Sequence, residues 1–580
     1  MSGRLFSSFL ALTVLALSAA TAFGDGSADA CRHERTAAIP IGNTWTSDTL
    51  YRADRSGYDL FVKDTVRVHE ARHRNLGFED PLDTAFHLKG LRNVTLDFGG
   101  ATLTLHGKIQ PFVIDGCTNV TIRNVRVRYA RCGYSQAEVV SIAGNTMTVR
   151  FDRGKFPYKV VDGALVFTCP DWPDRHVDKA PCFTQFYDGG TRRGKAIALG
   201  FFDRNPYIDP KLPWAPGAFR FAAEEKGDLV VLTSSNDLRI RNRVRPGDAF
   251  VVAHEERNLA NCFLMDSSDV SLVNYRVMNG IGMGFFPFHC HNLTLDHFVM
   301  TYDGDSPSFV SNGGDGIHAV ACSGDFIVRD SVIEGTTDDA MNVHGHFYTL
   351  KSAEGNKLLV DTEREVYATT SIISPGERIR VCRGFSNETA AEYVVAALRP
   401  VDDKTLEITV DRPVGRHRAK DAVENLSAQC RLQLLNCRFG KANSHLRFQT
   451  RGGVVVENCE TELPFLLTGD MSFWFESSPV EKMLMRNVRF VGPRASIRCT
   501  PQYFPSAAAP FYHGDIRLEG CTFDQPAIVD ARGTRSFTVR NCRHNAGRTL
   551  SLRLTNCGAA DAPGCEVVQR TEATKKLNFN

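Results

Sequence analysis

The sequence predicts an all-β solenoid, a parallel β-helix interrupted by two small inserted β domains. Two observations carry that prediction. A short phrase of alternating apolar residues, closed by Asn, Asp or Gly, recurs along the chain. Neighbouring copies stand 21 to 33 residues apart, with short strands and no helical pattern between them.

The phrase first reads Asn93-Val-Thr-Leu-Asp97 and Asn119-Val-Thr-Ile-Arg-Asn124. Asp269–Asn274, Asn292–His297 and Asp325–Asp330 follow it. Arg431–Asn436, Gly453–Asn458, Lys482–Asn487, Asp515–Gly520 and Ser536–Asn541 complete the series. Alternation at period two marks a strand with one buried face. The closing Asn, Asp or Gly suits a turn that needs a left-handed residue. Each coil then buries its inward side chains against the coils above and below. A β-sandwich, the alternative, would show antiparallel hairpin signals about every ten residues. Sequons at Asn93, Asn119 and Asn292 fall inside the phrase and read as by-products of it.

The phrase is missing from 124 to 274 and from 330 to 436. Other β-rich segments fill these gaps, among them Met147–Phe151, Leu229–Leu232, Leu358–Val360 and Thr405–Val410, with Pro246-Gly247 and Pro375-Gly376 turns. The expected organisation is a signal peptide at 1–24 and N-terminal rungs at 25–132. A first inserted domain spans 133–258, central rungs 259–345, a second insertion 346–428 and C-terminal rungs 429–580.

The signal peptide rests on Arg4, the apolar or small run Leu5 to Leu17 and an Ala20-Thr21-Ala22 cleavage site. It predicts export, to the periplasm or beyond the cell. A membrane anchor is the alternative, but the run is short for a span. Across 580 residues, 68 Lys and Arg balance 66 Asp and Glu. That balance gives no basic footprint for nucleic acid. With 43% hydrophobic residues the chain has ample core, and no membrane-spanning run follows the first 25 residues.

The 17 cysteines are odd in number, so at least one is unpaired. Cys117, Cys437, Cys459, Cys521, Cys542 and Cys557 each follow Asn or Gly at a strand end, which predicts an interior column of small buried thiols. Cys169 with Cys182, and Cys557 with Cys565, are the candidate disulfides. No C-x-x-C occurs, so cysteine metal binding is not expected.

Chemistry concentrates between the insertions, in Asn312-Gly-Gly-Asp-Gly-Ile-His318 and Thr337-Asp-Asp-Ala-Met-Asn-Val-His-Gly345. Asp315 and Asp339 lie 24 residues apart, one rung. Aligning the rungs puts Asp315 beside Asp339, with Asp338 in place of Gly314. Ile317, Met341 and Leu446 then point inward, and His318, Asn342 and Arg447 point outward in a column. His445 comes close to the aspartate corner. Rungs stack about 4.8 Å apart, so three carboxylates crowd one place. Crowding separates their protonation, and general acid–base catalysis needs one acid and one base. Isolated Asp residues in turns are the ordinary reading, and grouped Asp can also bind calcium, although no EF-hand loop is present.

The Gly314–His318 and Thr337–Gly345 segments, with Tyr58–Val62 and Phe473-Trp-Phe-Glu476, resemble glycoside hydrolase family 110, the exo-acting α-1,3-galactosidases. The resemblance spans most of the mature chain. It implies a right-handed parallel β-helix with two inserted small β-barrel domains. It also implies inverting release of terminal α-1,3-linked galactose, without metal or organic cofactor. The family's catalytic aspartates map onto Asp315, Asp338 and Asp339. Polygalacturonases are a weaker match, since the Asn312-Gly-Gly spacing departs from their tighter pattern.

Asp338 is then the expected acid, with Asp315 and Asp339 steering water, although the sequence leaves these roles exchangeable. His318, Asn342, His344, His445 and Arg447 are expected to bind sugar, and Trp474 to stack on galactose. Glu476 reads as an ordinary solvated residue. His289-Cys290-His291 carries two histidines on one strand face but lacks a third metal ligand. Asp303 and Asp305 read as turn residues near the rim. The expected partner is a galactose-terminated glycan, and the lateral faces of a solenoid would suit a homodimer. A polygalacturonase-like hydrolase, a polysaccharide lyase and a non-catalytic glycan-binding β-helix are the competing readings.

Overall fold

In the computed structural model the described residues run from 33 to 572, apart from 69–80, 170–171, 177–183, 196–199, 203–218, 235–242, 254–258, 303–307, 363–371, 384–385, 403, 419–420, 443–444, 470–473 and 504. The segment 1–24, Asp303, Asp305, Phe473 and Cys182 therefore lie outside them, and with Cys182 the Cys169–Cys182 pairing.

The recurring phrases stack as one parallel sheet of 22 strands among the described residues. Their register stays in step from coil to coil. Val94, Val120, Val270, Leu293 and Phe326 form one inward column. Leu432, Val454, Met483, Ile516 and Phe537 continue it. All ten are buried. Full burial of such a side chain is worth about 1.5–3 kcal/mol. The stack, more than any single coil, supplies the stability. A second parallel sheet closes the coil and carries the site. The protein is a parallel β-helix with two β insertions, as the phrase predicts.

The closing residue of the phrase has the left-handed conformation. Asn124, Asn274, His297, Asp330, Asn436, Asn458, Asn487 and Asn541 have φ between 50° and 58°. Asn and Asp tolerate that region better than other side chains. Their side chains also form a ladder. The Asn274 amide donates to Asn124 at 3.1 Å, Asn436 to Asp330 at 3.0 Å and Asn487 to Asn458 at 3.2 Å. The three sequon asparagines do the same at the strand start. Asn119 donates to Asn93, Asn292 to Asp269, and Asn93 to Asp48.

The cysteines after these turns point inward, and fourteen of the described cysteines are free thiols. Cys437 Sγ donates to the Val328 carbonyl at 3.3 Å and Cys459 Sγ to Leu434 at 3.4 Å, each reaching the preceding coil. The expected Cys557–Cys565 disulfide is not formed. Cys557 turns into the coil, where Sγ meets the Ala531 and Thr555 carbonyls.

The first insertion is a closed barrel of seven strands between Tyr134–Ala143 and Ala249–Ala253. Val139, Met147, Val149, Phe186, Val230 and Phe250 fill its core. The second is built on a strand that the β-helix shares with it, Met341–Glu354, whose far half pairs antiparallel with Lys357–Asp361 and Ala422–Asn425. Further antiparallel pairings through Thr405–Val410, Thr389–Asp402 and Arg378–Cys382 close the ring. Its core is continuous with outward residues of the β-helix, including Phe263, Phe286 and Val320. His289 bridges the two bodies, with Nδ1 at 2.8 Å from Asp266 and Nε2 at 3.3 Å from Glu377.

Candidate active site

Four strands frame the site: β1 (Ile317–Val320), β2 (Met341–Glu354), β3 (Leu446–Gln449) and β4 (Glu476–Ser477). β1, β2 and β3 are successive parallel strands. Ile317, Met341 and Leu446 align as core, and His318, Asn342 and Arg447 align on the outward face. Two residues on, Val320, His344 and Gln449 align on that same face. β4 returns antiparallel to β2, pairing His346 with Glu476, and so lays Glu476 over the outward face.

Asp315 and Asp339 precede the aligned Ile317 and Met341 by two residues each. Gly316 N donates to the Asp339 carbonyl at 2.9 Å, and Gly284 N to the Asp315 carbonyl at 2.8 Å. Gly316 is required here, because a Cβ would stand 2.6 Å from both the Ala340 carbonyl oxygen and Ile333 Cγ2. The buried Asn312 amide braces the same turn, donating to the Gly282 and Asp315 carbonyls at 2.7 and 2.9 Å. Asp338 is half-buried on the next turn, where Thr336 Oγ1 donates to its carbonyl at 3.0 Å. Gln185, from the first barrel, donates its side-chain amide to the Thr337 carbonyl at 2.8 Å.

Asp339 is 4% exposed and tightly held. It accepts the His445 backbone N–H at 2.9 Å, and Arg447 Nε lies 3.3 Å from its other oxygen. The same guanidinium reaches Glu476 through Nη1 at 3.2 Å. Glu476 also accepts from Gln449 at 2.7 Å and Asn342 at 3.2 Å. Burial pushes the Glu476 carboxyl up, but His344 and Arg447 pull harder and bring it down to about 2. Burial works against charge on Arg447 as well, and Asp339 and Glu476 outweigh it, holding the guanidinium well above its ordinary range.

His318 Nδ1 lies 2.5 Å from Asp315 Oδ2, and His318 Nε2 lies 3.1 Å from His344 Nε2. His344 Nδ1 lies 2.6 Å from the Gly345 carbonyl. Burial lowers His344 to about 4 and His346 to about 3. Both rings of the His318–His344 pair thus face protein groups through both nitrogens.

The structure therefore gathers Asp315, Asp338, Asp339, His318, Asn342, His344, His445 and Arg447 on one face. Trp474 is half-buried two residues ahead of Glu476, on the segment entering β4. Glu476 itself is buried at the centre of the cluster, not solvated as the sequence reading had it. Gln449 and Gln185 also belong to the site and were not singled out. Gln449 was within reach of pattern, since it lies two residues beyond Arg447 on a strand. Three atoms, His318 Nε2, His344 Nε2 and a Glu476 oxygen, lie within 4.8 Å of one another and could hold a cation. At the His289–His291 pair, His289 is engaged by two carboxylates and His291 Nδ1 by Ser323 Oγ at 3.0 Å.

No family model matches the chain. It is 24% identical over 484 residues to an α-1,3-galactosidase B of Bacteroides thetaiotaomicron, covering 79% of this chain and 74% of that one. An α-1,3-galactosidase A of Bacteroides fragilis is 24% identical over 507 residues, 83% of this chain and 80% of that one. An α-1,3-galactosidase A of Akkermansia muciniphila is 25% identical over 457 residues, 77% and 72% of the two chains. Among solved structures, the Azotobacter vinelandii mannuronan C-5 epimerase AlgE4 A-module aligns with 91% of this chain and 89% of its own at 8% identity and a TM-score of 0.27. The resemblance to the α-1,3-galactosidases holds along about four-fifths of the chain.

Proposed function

We propose that this chain, similar to α-1,3-galactosidases over most of its length, is an exo-acting inverting glycoside hydrolase that releases terminal α-1,3-linked galactose. The observation that carries the reading is the stacking of Asp315 and Asp339, each two residues before the paired Ile317 and Met341, with Asp338 next in sequence to Asp339 and with Arg447 and His445 against Asp339.

Inverting hydrolysis needs an acid on the glycosidic oxygen and a base that holds water on the opposite face of the sugar, with carboxyls about 6.5–9.5 Å apart. Asp339 is ion-paired with Arg447, and Asp315 faces the His318 imidazole, so both suit the water side. Asp338, half-buried at the corner, suits the acid. It protonates the departing oxygen while water, deprotonated by Asp315 and Asp339, attacks the anomeric carbon and leaves β-galactose. Arg447, whose side chain is 22% exposed, is the candidate to steady sugar hydroxyls, with Trp474 as the stacking surface, while Asn342, buried against Glu476, supports that carboxylate. The apolar N-terminal segment supports export, so the substrate would be a glycan met outside the cytoplasm.

The test is release of galactose from Gal-α-1,3-Gal and from a branched blood-group-B trisaccharide, with the first-formed anomer read by proton NMR. Wild type should release β-galactose. Asp315→Asn, Asp338→Asn and Asp339→Asn, each folded, should each lose about 10²–10⁴ in rate. No release from either sugar, or α-galactose as first product, would overturn the reading.

A further inference from the structure

The geometry points to a fixed proton relay behind the aspartate corner, in which His344 and His318 hold Asp315 as a carboxylate and so make it the water-side base. It rests on the function proposed above and assigns positioning roles within that site.

The chain of donors has one consistent reading. A backbone carbonyl only accepts, so the Gly345 carbonyl, 2.6 Å from His344 Nδ1, requires a proton on that nitrogen. Burial disfavours a second proton on His344 and keeps the ring neutral. A neutral ring protonated at Nδ1 offers a lone pair at Nε2. His318 Nε2, at 3.1 Å, must then be the donor. The remaining proton lies between His318 Nδ1 and Asp315 Oδ2, which are 2.5 Å apart. An imidazole is ordinarily more basic than a carboxyl by about 2.6 pK units. The relay places that proton on His318, as an imidazolium, with Asp315 as the anion 2.5 Å away.

Among the described residues, the groups that face this ring agree with that charge. Asp315 lies on its own turn, His344 on the next rung and Glu476 across from it on β4, with His344 Nε2 3.8 Å from Glu476. Phe286, on the preceding rung, meets the ring edge-on at 5.2 Å between centroids and contributes no charge. Arg447 is turned to Asp339 and Glu476, and His346 lies beyond His344. A cation shared by His318, His344 and Glu476 is the competing occupant of the same place. It would sit beside the Arg447 guanidinium, which already neutralises Glu476.

The experiment reads the protons directly. Protein with ¹⁵N-labelled histidine, stripped with chelator, is examined by ¹⁵N NMR at pH 7, with His318→Gln and His344→Gln used to assign the signals. The expected result is His344 neutral and protonated at Nδ1, and His318 protonated on both nitrogens. His344 protonated at Nε2, or a neutral His318, overturns the relay. So does one equivalent of zinc that copurifies and is lost with His344→Gln. In galactose release, His318→Gln should move the acidic limb of the kcat/KM profile up by about 1–3 pH units, since it removes the cation that favours the Asp315 carboxylate. The alkaline limb should stay in place. A higher KM with unmoved limbs would mean that His318 only binds sugar, and would overturn the relay. If wild type releases no galactose, the function proposed above fails, while the nitrogen signals still decide the relay.

Discussion

Arg447→Met is the substitution whose cost follows most directly from the site. Arg447 bridges Asp339 and Glu476, which are 5% and 4% exposed, at 3.3 and 3.2 Å. Burial alone would raise the Glu476 carboxyl. The pull of His344 and Arg447 instead brings it from 4.5 to about 2. His344 is held near 4 by burial, so at neutral pH it is uncharged, and Arg447 and His318 are the cations that act. A carboxyl depressed on folding adds stability above its unfolded pKa, and that stability disappears as pH falls through the folded one. At about 1.4 kcal/mol per unit, the contribution is about 3 kcal/mol at pH 7, fading between 4.5 and about 2. Arg447→Met removes one of the cations behind that depression and strands two buried carboxylates, so it should destabilise the fold by about 3–5 kcal/mol at pH 7, the range for breaking a buried pair. Adding Glu476→Gln should recover part of the loss, because it removes the stranded charge. Guanidinium unfolding followed by tryptophan fluorescence measures both. A loss below about 1 kcal/mol, typical of an exposed ion pair, or a double variant no better than the single, would refute the reasoning.

His289 offers the opposite sign. Burial works against its charge, but hydrogen bonds that the ring donates to Asp266 and Glu377 raise it from 6.5 to about 9. The stability it adds is fully present below pH 6.5 and lost as pH rises through about 9. An unfolding series across that window should show the loss in wild type and none in His289→Gln. Gln185→Ala frees the Thr337 carbonyl beside Asp338. It should cost only about 1 kcal/mol of stability, yet lower kcat for galactose release well beyond KM. Asn458 has φ 53°, so Asn458→Val should cost about 1–2 kcal/mol in a melting experiment while Asn458→Gly stays near wild type. Cys557 and Cys565 should react with a thiol reagent on denaturation without prior reduction, since both are free.

The solenoid was legible because one local rule repeats. Alternation fixes the buried face, and a turn residue able to take positive φ fixes the corner, as Asn436, Asn458 and Asn487 show. The aspartate corner was legible for the same reason: Asp315 and Asp339 lie one rung apart, and the rung is a ruler. Glu476 was not legible. A segment that returns antiparallel across the rungs delivers it, and no period links it to the strands it meets. The contacts of His318 and His344 were hidden too. Their placement follows from register, but their hydrogen-bond partners follow from the depth of burial and from the bare carbonyl of Gly345. The Cys557–Cys565 pairing failed because proximity in sequence carries no information about which way a thiol turns.

The strand Met341–Glu354 belongs to the β-helix at one end and to the second barrel at the other, without a break in its hydrogen-bonded run. That continuity leaves no joint between the floor of the site and the domain beside it. Jaw-like closure over a ligand needs a few residues that absorb a backbone rotation, and here Gly345 and His346 pair with Ser477 and Glu476, and Phe347 and Tyr348 with Glu424 and Val423. The socket is therefore cast before the ligand arrives. A ligand reaching this face meets a floor that runs unbroken into the barrel beside it.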